Sequence, residues 1–126
     1  MKMQADRPEG SNAITRHAPE GVIVAGVEHR SSVLVPWKGE VLPWAVTGFE
    51  ALDESSFEPL LALSPELVIF GSGSRLRFPH PALLKALMAR RIGFETMDTP
   101  AACRTYNVLL AEGRAVVAAL IFERGG

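Results

Sequence analysis

Gly93-Phe-Glu-Thr-Met-Asp-Thr-Pro-Ala-Ala-Cys-Arg-Thr-Tyr-Asn-Val-Leu-Leu-Ala-Glu-Gly-Arg-Ala-Val-Val-Ala-Ala-Leu-Ile-Phe122 decides the fold. Residues 93–97 predict a short strand. Thr99 is placed to cap a helix, with Pro100 at the first helical position, where its missing N–H costs nothing. Gly113 stands where a left-handed helix end is wanted. Ala115 to Phe122 is apolar throughout, the pattern of a strand covered on both faces.

Upstream the rhythm repeats. Leu67-Val-Ile-Phe70 is an unbroken apolar run ending in Gly71, a second buried strand. Pro81 to Arg91 predicts a helix whose Leu83, Leu84, Leu87 and Met88 form one apolar stripe. Phe57 to Leu63 predicts a shorter helix closed by Ser64-Pro65. Strand, helix, strand, helix, strand at this spacing implies right-handed α/β crossovers with helices covering the sheet. From Ala13 to Val46 short β-branched runs are punctuated by glycine and proline, which predicts a meander of hairpins with Pro36 and Pro43 at strand ends or an edge. The expected architecture is a three-layer α/β domain over residues 13–123: a mixed central sheet, helices, and an N-terminal β-hairpin layer. Residues 1–12, polar and turn-rich, are expected to be a flexible tail.

Composition narrows the function classes. A chain of 126 residues has room for one sizeable core. With 13 basic and 14 acidic side chains the net charge is −1, which argues against general nucleic-acid binding. Cys103 is the only cysteine, so no internal disulfide forms and the Cys/His zinc spacings cannot be built. Residues 1–10 contain no apolar stretch of the secretory type, and the apolar runs are about half of what a membrane helix requires. A cytoplasmic protein without a transmembrane segment is expected.

Candidate chemistry lies in two places. Gly71-Ser-Gly73 follows a buried strand, so its backbone N–H groups could cradle an anion, with Arg75 and Arg77 adding charge. The dinucleotide fingerprint fails because residue 76 is Leu76, and no lysine stands where the P-loop needs one. The alternative is a tight turn at a strand end. The second place is the helix start, where Arg104, Thr105, Tyr106 and Asn107 would neighbour Ser72 at the carboxyl ends of parallel strands. The same residues also fit a packed helix face. Cys103, near a helix N-terminus, reads either as a reactive thiol or as a buried inert one, and no histidine is placed to activate it. No catalytic set, metal site or cofactor is expected. Arg75, Arg77, Arg90, Arg91 and Arg104 gather in the C-terminal half, whereas Asp53, Glu54 and Glu58 lie elsewhere, so the small net charge conceals a polarised surface.

Asp98-Thr-Pro-Ala-Ala-Cys-Arg-Thr-Tyr-Asn107, Glu112-Gly-Arg114 and the Gly71-Ser-Gly73 loop together carry a resemblance. The chain resembles the family that includes the mitochondrial respiratory complex I assembly factor 3 and the small adipogenesis-associated domain protein. Where that family has Gly-Thr-Gly, this chain has Ser72 between its glycines, keeping the hydroxyl and losing the methyl. The resemblance implies a three-layer α/β fold and a role in respiratory-complex assembly, and no agreed catalytic residues. It marks Gly71, Ser72, Gly73, Thr99, Arg104, Thr105, Tyr106 and Asn107 as a candidate pocket. The leading expectation is a non-catalytic module that binds a protein partner, such as an unassembled respiratory-chain subunit. The alternative is a small-molecule protein or enzyme that holds an anion in that pocket.

Overall fold

A computed structural model describes residues 10–123. The N-terminal half builds two different sheets. Strands β1 (Ile14–Ala18), β2 (Gly21–Val24) and β3 (Val27–His29) form an antiparallel meander. Strands β4 (Val33–Pro36) and β5 (Leu42–Pro43) leave it and join the central sheet. Hairpins form over residues 14–29 and again over 33–43, but the second belongs to the central sheet and not to the N-terminal layer. The reason is apolarity on both faces: Val33, Leu34 and Val35 are all buried, and only an interior position in a covered sheet accommodates that. Pro43 lies on the edge, where its missing N–H leaves no ladder bond unmade.

The rest of the chain supplies α1 (Glu58–Leu63), β6 (Leu67–Gly71), α2 (Lys85–Ala89), β7 (Gly93–Met97), α3 (Thr99–Ala111) and β8 (Val116–Leu120). The five-stranded order is β5-β4-β8-β6-β7. β6 runs parallel to both β7 and β8, while β4 runs antiparallel to β8. The helix expected over 81–91 divides into a 3-10 turn (Pro81–Leu84) and α2.

Alternation along the strands sends side chains to two cores. One face packs Ile69, Ala118 and Leu120 against α3 and the meander, with Cys103, Tyr106, Ile14 and Val24 between them. The other packs Leu34, Phe70 and Val117 under α1 and α2, with Trp44, Phe57 and Phe94. There Phe70 and Phe94 stack at 5.7 Å, and Trp44 meets Phe57 and Phe70 edge-on. Each such pair adds about 0.5–1.5 kcal/mol beyond the burial itself.

Helix α3 is capped by Asp98, not Thr99. The Asp98 carboxylate accepts from the Ala101 N–H at 2.9 Å and Thr99 is already helical. Gly113 adopts φ +81°, as the helix end requires. Residues 1–9 of the expected tail lie outside the described residues. Asn12, also read with that tail, is buried, and its Nδ2 donates to the carbonyls of Pro36 (2.9 Å) and Gly39 (2.8 Å).

Candidate functional site

The eight candidate residues fall into two groups. Gly71, Ser72, Gly73 and Thr99 meet at the carboxyl ends of the parallel strands. Thr99 Oγ1 donates to the Ile121 carbonyl at 3.0 Å and accepts from the Gly73 N–H at 2.9 Å. The Thr99 N–H donates to the Gly73 carbonyl at 2.8 Å. Gly71 permits this contact: a Cβ there would lie 2.9 Å from Thr99 Oγ1 and 3.0 Å from Thr99 Cα. Ser72 is fully buried. Its Oγ lies 2.7 Å from the Arg75 carbonyl and 3.1 Å from that of Met97, and it accepts from the Arg77 N–H at 3.0 Å. These bonds make the loop a knot of backbone satisfied by hydroxyls.

The second group lies along α3. Tyr106 is fully buried, with its hydroxyl between the carbonyls of Asn12 (2.9 Å) and Pro36 (3.0 Å). Burial raises its phenol pKa above the ordinary tyrosine value. Asn107 Oδ1 accepts from the Ile14 N–H at 2.9 Å, and its Nδ2 donates to the Ile14 carbonyl at 2.8 Å. The side-chain amide thus reproduces the pair of bonds that a neighbouring strand would give β1. Thr105 is half-buried, and Arg104 is exposed on the face of α3 opposite Tyr106. Cys103 is buried, and burial pushes its thiol up to about 12, which keeps it a thiol at neutral pH despite Arg104 nearby.

Two residues outside the candidate set complete the first group. Arg77 Nη2 donates to the Ser72 carbonyl and to Glu123 Oε1, both at 2.7 Å, and its guanidinium lies 4.9 Å from the centre of the Phe49 ring. Glu123 Oε2 accepts from the Phe49 N–H at 2.9 Å. The hydrogen bond from Arg77 holds the Glu123 carboxyl below its usual range. Forty-six residues separate these partners, and no local pattern in the chain announces the pair. The charge-patch reading of Arg77 changes accordingly: its side chain is 15% exposed and turned inward.

Beside this group opens a cavity of about 270 Å³, lined by Pro19, Gly73, Ser74, Thr99, Pro100 and Glu123 among others. Gly73 and Thr99 contribute to it; Arg104, Tyr106 and Asn107 do not. The ionised side chain on its wall, Glu123, is neutralised by its pairing with Arg77. Among the described residues no three His, Cys, Asp or Glu side chains gather to hold a metal ion, and no helix is long and apolar enough to cross a membrane.

Comparison with known proteins places the chain. The NADH dehydrogenase (ubiquinone) 1 alpha subcomplex assembly factor 3 of Bos taurus is 41% identical over 88 residues, covering 68% of this chain and 48% of that protein. An uncharacterised protein of Rhodobacter capsulatus is 35% identical over 112 residues, covering 89% of this chain and 86% of that one. The solution structure of a Bordetella pertussis protein, described as an Mth938-like domain, superposes with a TM-score of 0.84 at 28% identity, covering 98% of this chain and 93% of that chain. The chain spans about half the length of the mammalian assembly factors it matches. Residues 14–121 match the family model described as a protein of unknown function (DUF498/DUF598), and the chain belongs to that family.

Proposed function

We propose that this chain is a non-catalytic protein-interaction module of the assembly-factor kind, acting in the cytoplasm on an unassembled subunit of a respiratory complex. The observation that carries this reading is where the polar side chains of the α3 segment go. Tyr106 and Asn107 are spent on the backbone of Asn12, Ile14 and Pro36, Ser72 on that of Arg75 and Met97, and Thr99 on that of Gly73 and Ile121. Groups so engaged serve shape, since withdrawing any of them to handle a substrate would strand a buried partner. The raised thiol pKa of Cys103 points the same way. The naming of the mammalian relatives as assembly factors for NADH dehydrogenase supports the choice of client.

Deleting the gene in the cell that makes this protein should lower the amount of assembled NADH dehydrogenase. The tagged chain should also co-purify with subunits of that enzyme. Normal assembly in the deletion strain, with no subunit recovered, would overturn the reading. A small-molecule site is the second reading, favoured by the cavity beside Gly73 and Thr99. It predicts a raised melting temperature with inorganic phosphate or a short carboxylate, and an unchanged midpoint across both removes it.

A further inference from the structure

Strand β7 ends the central sheet, and its outer edge is open. In a parallel pair, each strand turns the backbone groups of alternate residues toward its neighbour. The Gly93 N–H donates to the Glu66 carbonyl at 3.0 Å, and the Met97 carbonyl accepts from the Ser72 N–H at 2.8 Å, so Gly93, Glu95 and Met97 face β6. Phe94 and Thr96 therefore direct their N–H and C=O groups away from the sheet. Among the described residues none bonds to these four groups. Of the other edges, that of β3 is only three residues long. β5 is two residues long and contains Pro43, and the edge of β1 is occupied by Asn107. In the middle of the open edge stands Glu95, exposed and, among the described residues, without an ion-pair partner.

We propose that β7 accepts an extended segment of a partner protein as an added strand, with a lysine or arginine of that segment beside Glu95. This rests on the protein-interaction reading and names its surface. Main-chain bonds to Phe94 and Thr96 supply attachment, and the carboxylate supplies selection. Charge decides against a second copy of this chain. A twofold pairing through the free groups of Phe94 and Thr96 sets Glu95 directly opposite its counterpart, with Cα atoms about 4.5 Å apart and like charges facing. The same carboxylate that keeps two copies apart attracts a basic strand.

The test titrates the ¹⁵N-labelled chain with the peptide Ac-Thr-Thr-Val-Lys-Val-Thr-Thr-NH₂ and with its analogue carrying glutamate at the centre. The lysine peptide should shift the Phe94 and Thr96 amides and slow their hydrogen exchange, binding on the order of fivefold more tightly than the glutamate peptide. Glu95→Lys should reverse that preference. Thr96→Pro removes one outward N–H while leaving the β6 ladder whole, and should abolish binding with the melting temperature retained. Equal binding of both peptides, binding of neither, or shifts centred away from residues 94–96 would overturn the proposal. So would self-association of the chain through these amides. Recovery of NADH dehydrogenase subunits by Thr96→Pro as well as by the parent chain would sink the edge and leave the assembly reading standing. Peptide binding as described, with no subunit recovered by either chain, would do the reverse.

Discussion

Two polar clusters fix helix α3 to the rest of the molecule, and they differ in what they leave free. At its start, Thr99, Ser72 and Gly73 tie the helix to the loop after β6, and this knot borders an open cavity. Two turns on, Tyr106 and Asn107 tie it to the N-terminal strands, and Tyr106 has no exposed surface at all. Both clusters consist of residues that a chemist would pick as ligands from their types alone. The difference teaches that such a run in a helix can be mainly a fastening between distant segments, and that openness to solvent separates the two cases better than residue type does.

The comparison can be broken most severely at Tyr106. Tyr106→Ala should cost about 3–5 kcal/mol in denaturant unfolding, the usual loss for a buried aromatic. Tyr106→Phe should cost only about 1–2 kcal/mol, because the ring stays and the carbonyls of Asn12 and Pro36 lose their donor. Equal costs for the two would mean that the hydroxyl, not the ring, carries the fastening.

Asn107→Ala should cost about 1–3 kcal/mol by leaving the Ile14 N–H and carbonyl unpaired. Its signature is regional: amide exchange should speed up across residues 14–24 and stay slow in β6 and β8. Uniform acceleration would show that the meander and the central sheet open together. At the other cluster, Thr99→Val keeps the shape and removes the oxygen that accepts from the Gly73 N–H. Its expected cost is about 1–2 kcal/mol, with the exchange of Gly73 raised and that of Ile14 untouched. A change at Ile14 would mean that the two clusters communicate along α3.

The smallest effect concerns Glu123 and depends on pH. Its carboxyl is held below its ordinary value of 4.5 by Arg77, so the stabilisation is present above that pH and is lost as pH falls through the lower folded value. Melting temperatures of the parent chain should therefore drop more steeply in acid than those of Glu123→Gln. Parallel curves would remove the Arg77–Glu123 pair from any account of acid stability.

Sequence pattern made the C-terminal half legible because each element there repeats one simple rule. An unbroken apolar run such as 67–70 must be covered on both faces, and Gly113 must end a helix. The destination of β4 was half legible: Val33-Leu-Val35 is an unbroken apolar run that calls for cover on both faces, but its partner some eighty residues away leaves no trace in it. The cap went to Asp98 rather than to its neighbour Thr99, two residues equally able to do the work, because Thr99 is claimed by Gly73 and Ile121. At the candidate site, residue types were readable but their partners were not. Asn12, Arg77 and Glu123 matter through contacts at long separation, and such contacts exist only once the sheet has assembled.

The position of β4 also constrains how the protein comes off the ribosome. Val33–Pro36 finds its long partner only in Val117–Leu120, and the strands before it are held by Tyr106 and Asn107. During synthesis residues 12–36 therefore lack these partners until α3 and β8 have emerged. The meander buries Ile14, Val22 and Val24 only in the core that α3 and β8 complete. The central sheet must wait for β8, and until it emerges Val22–Val24 and Val33–Val35 are presented as bare apolar segments, a task for whatever meets nascent chains at the exit tunnel.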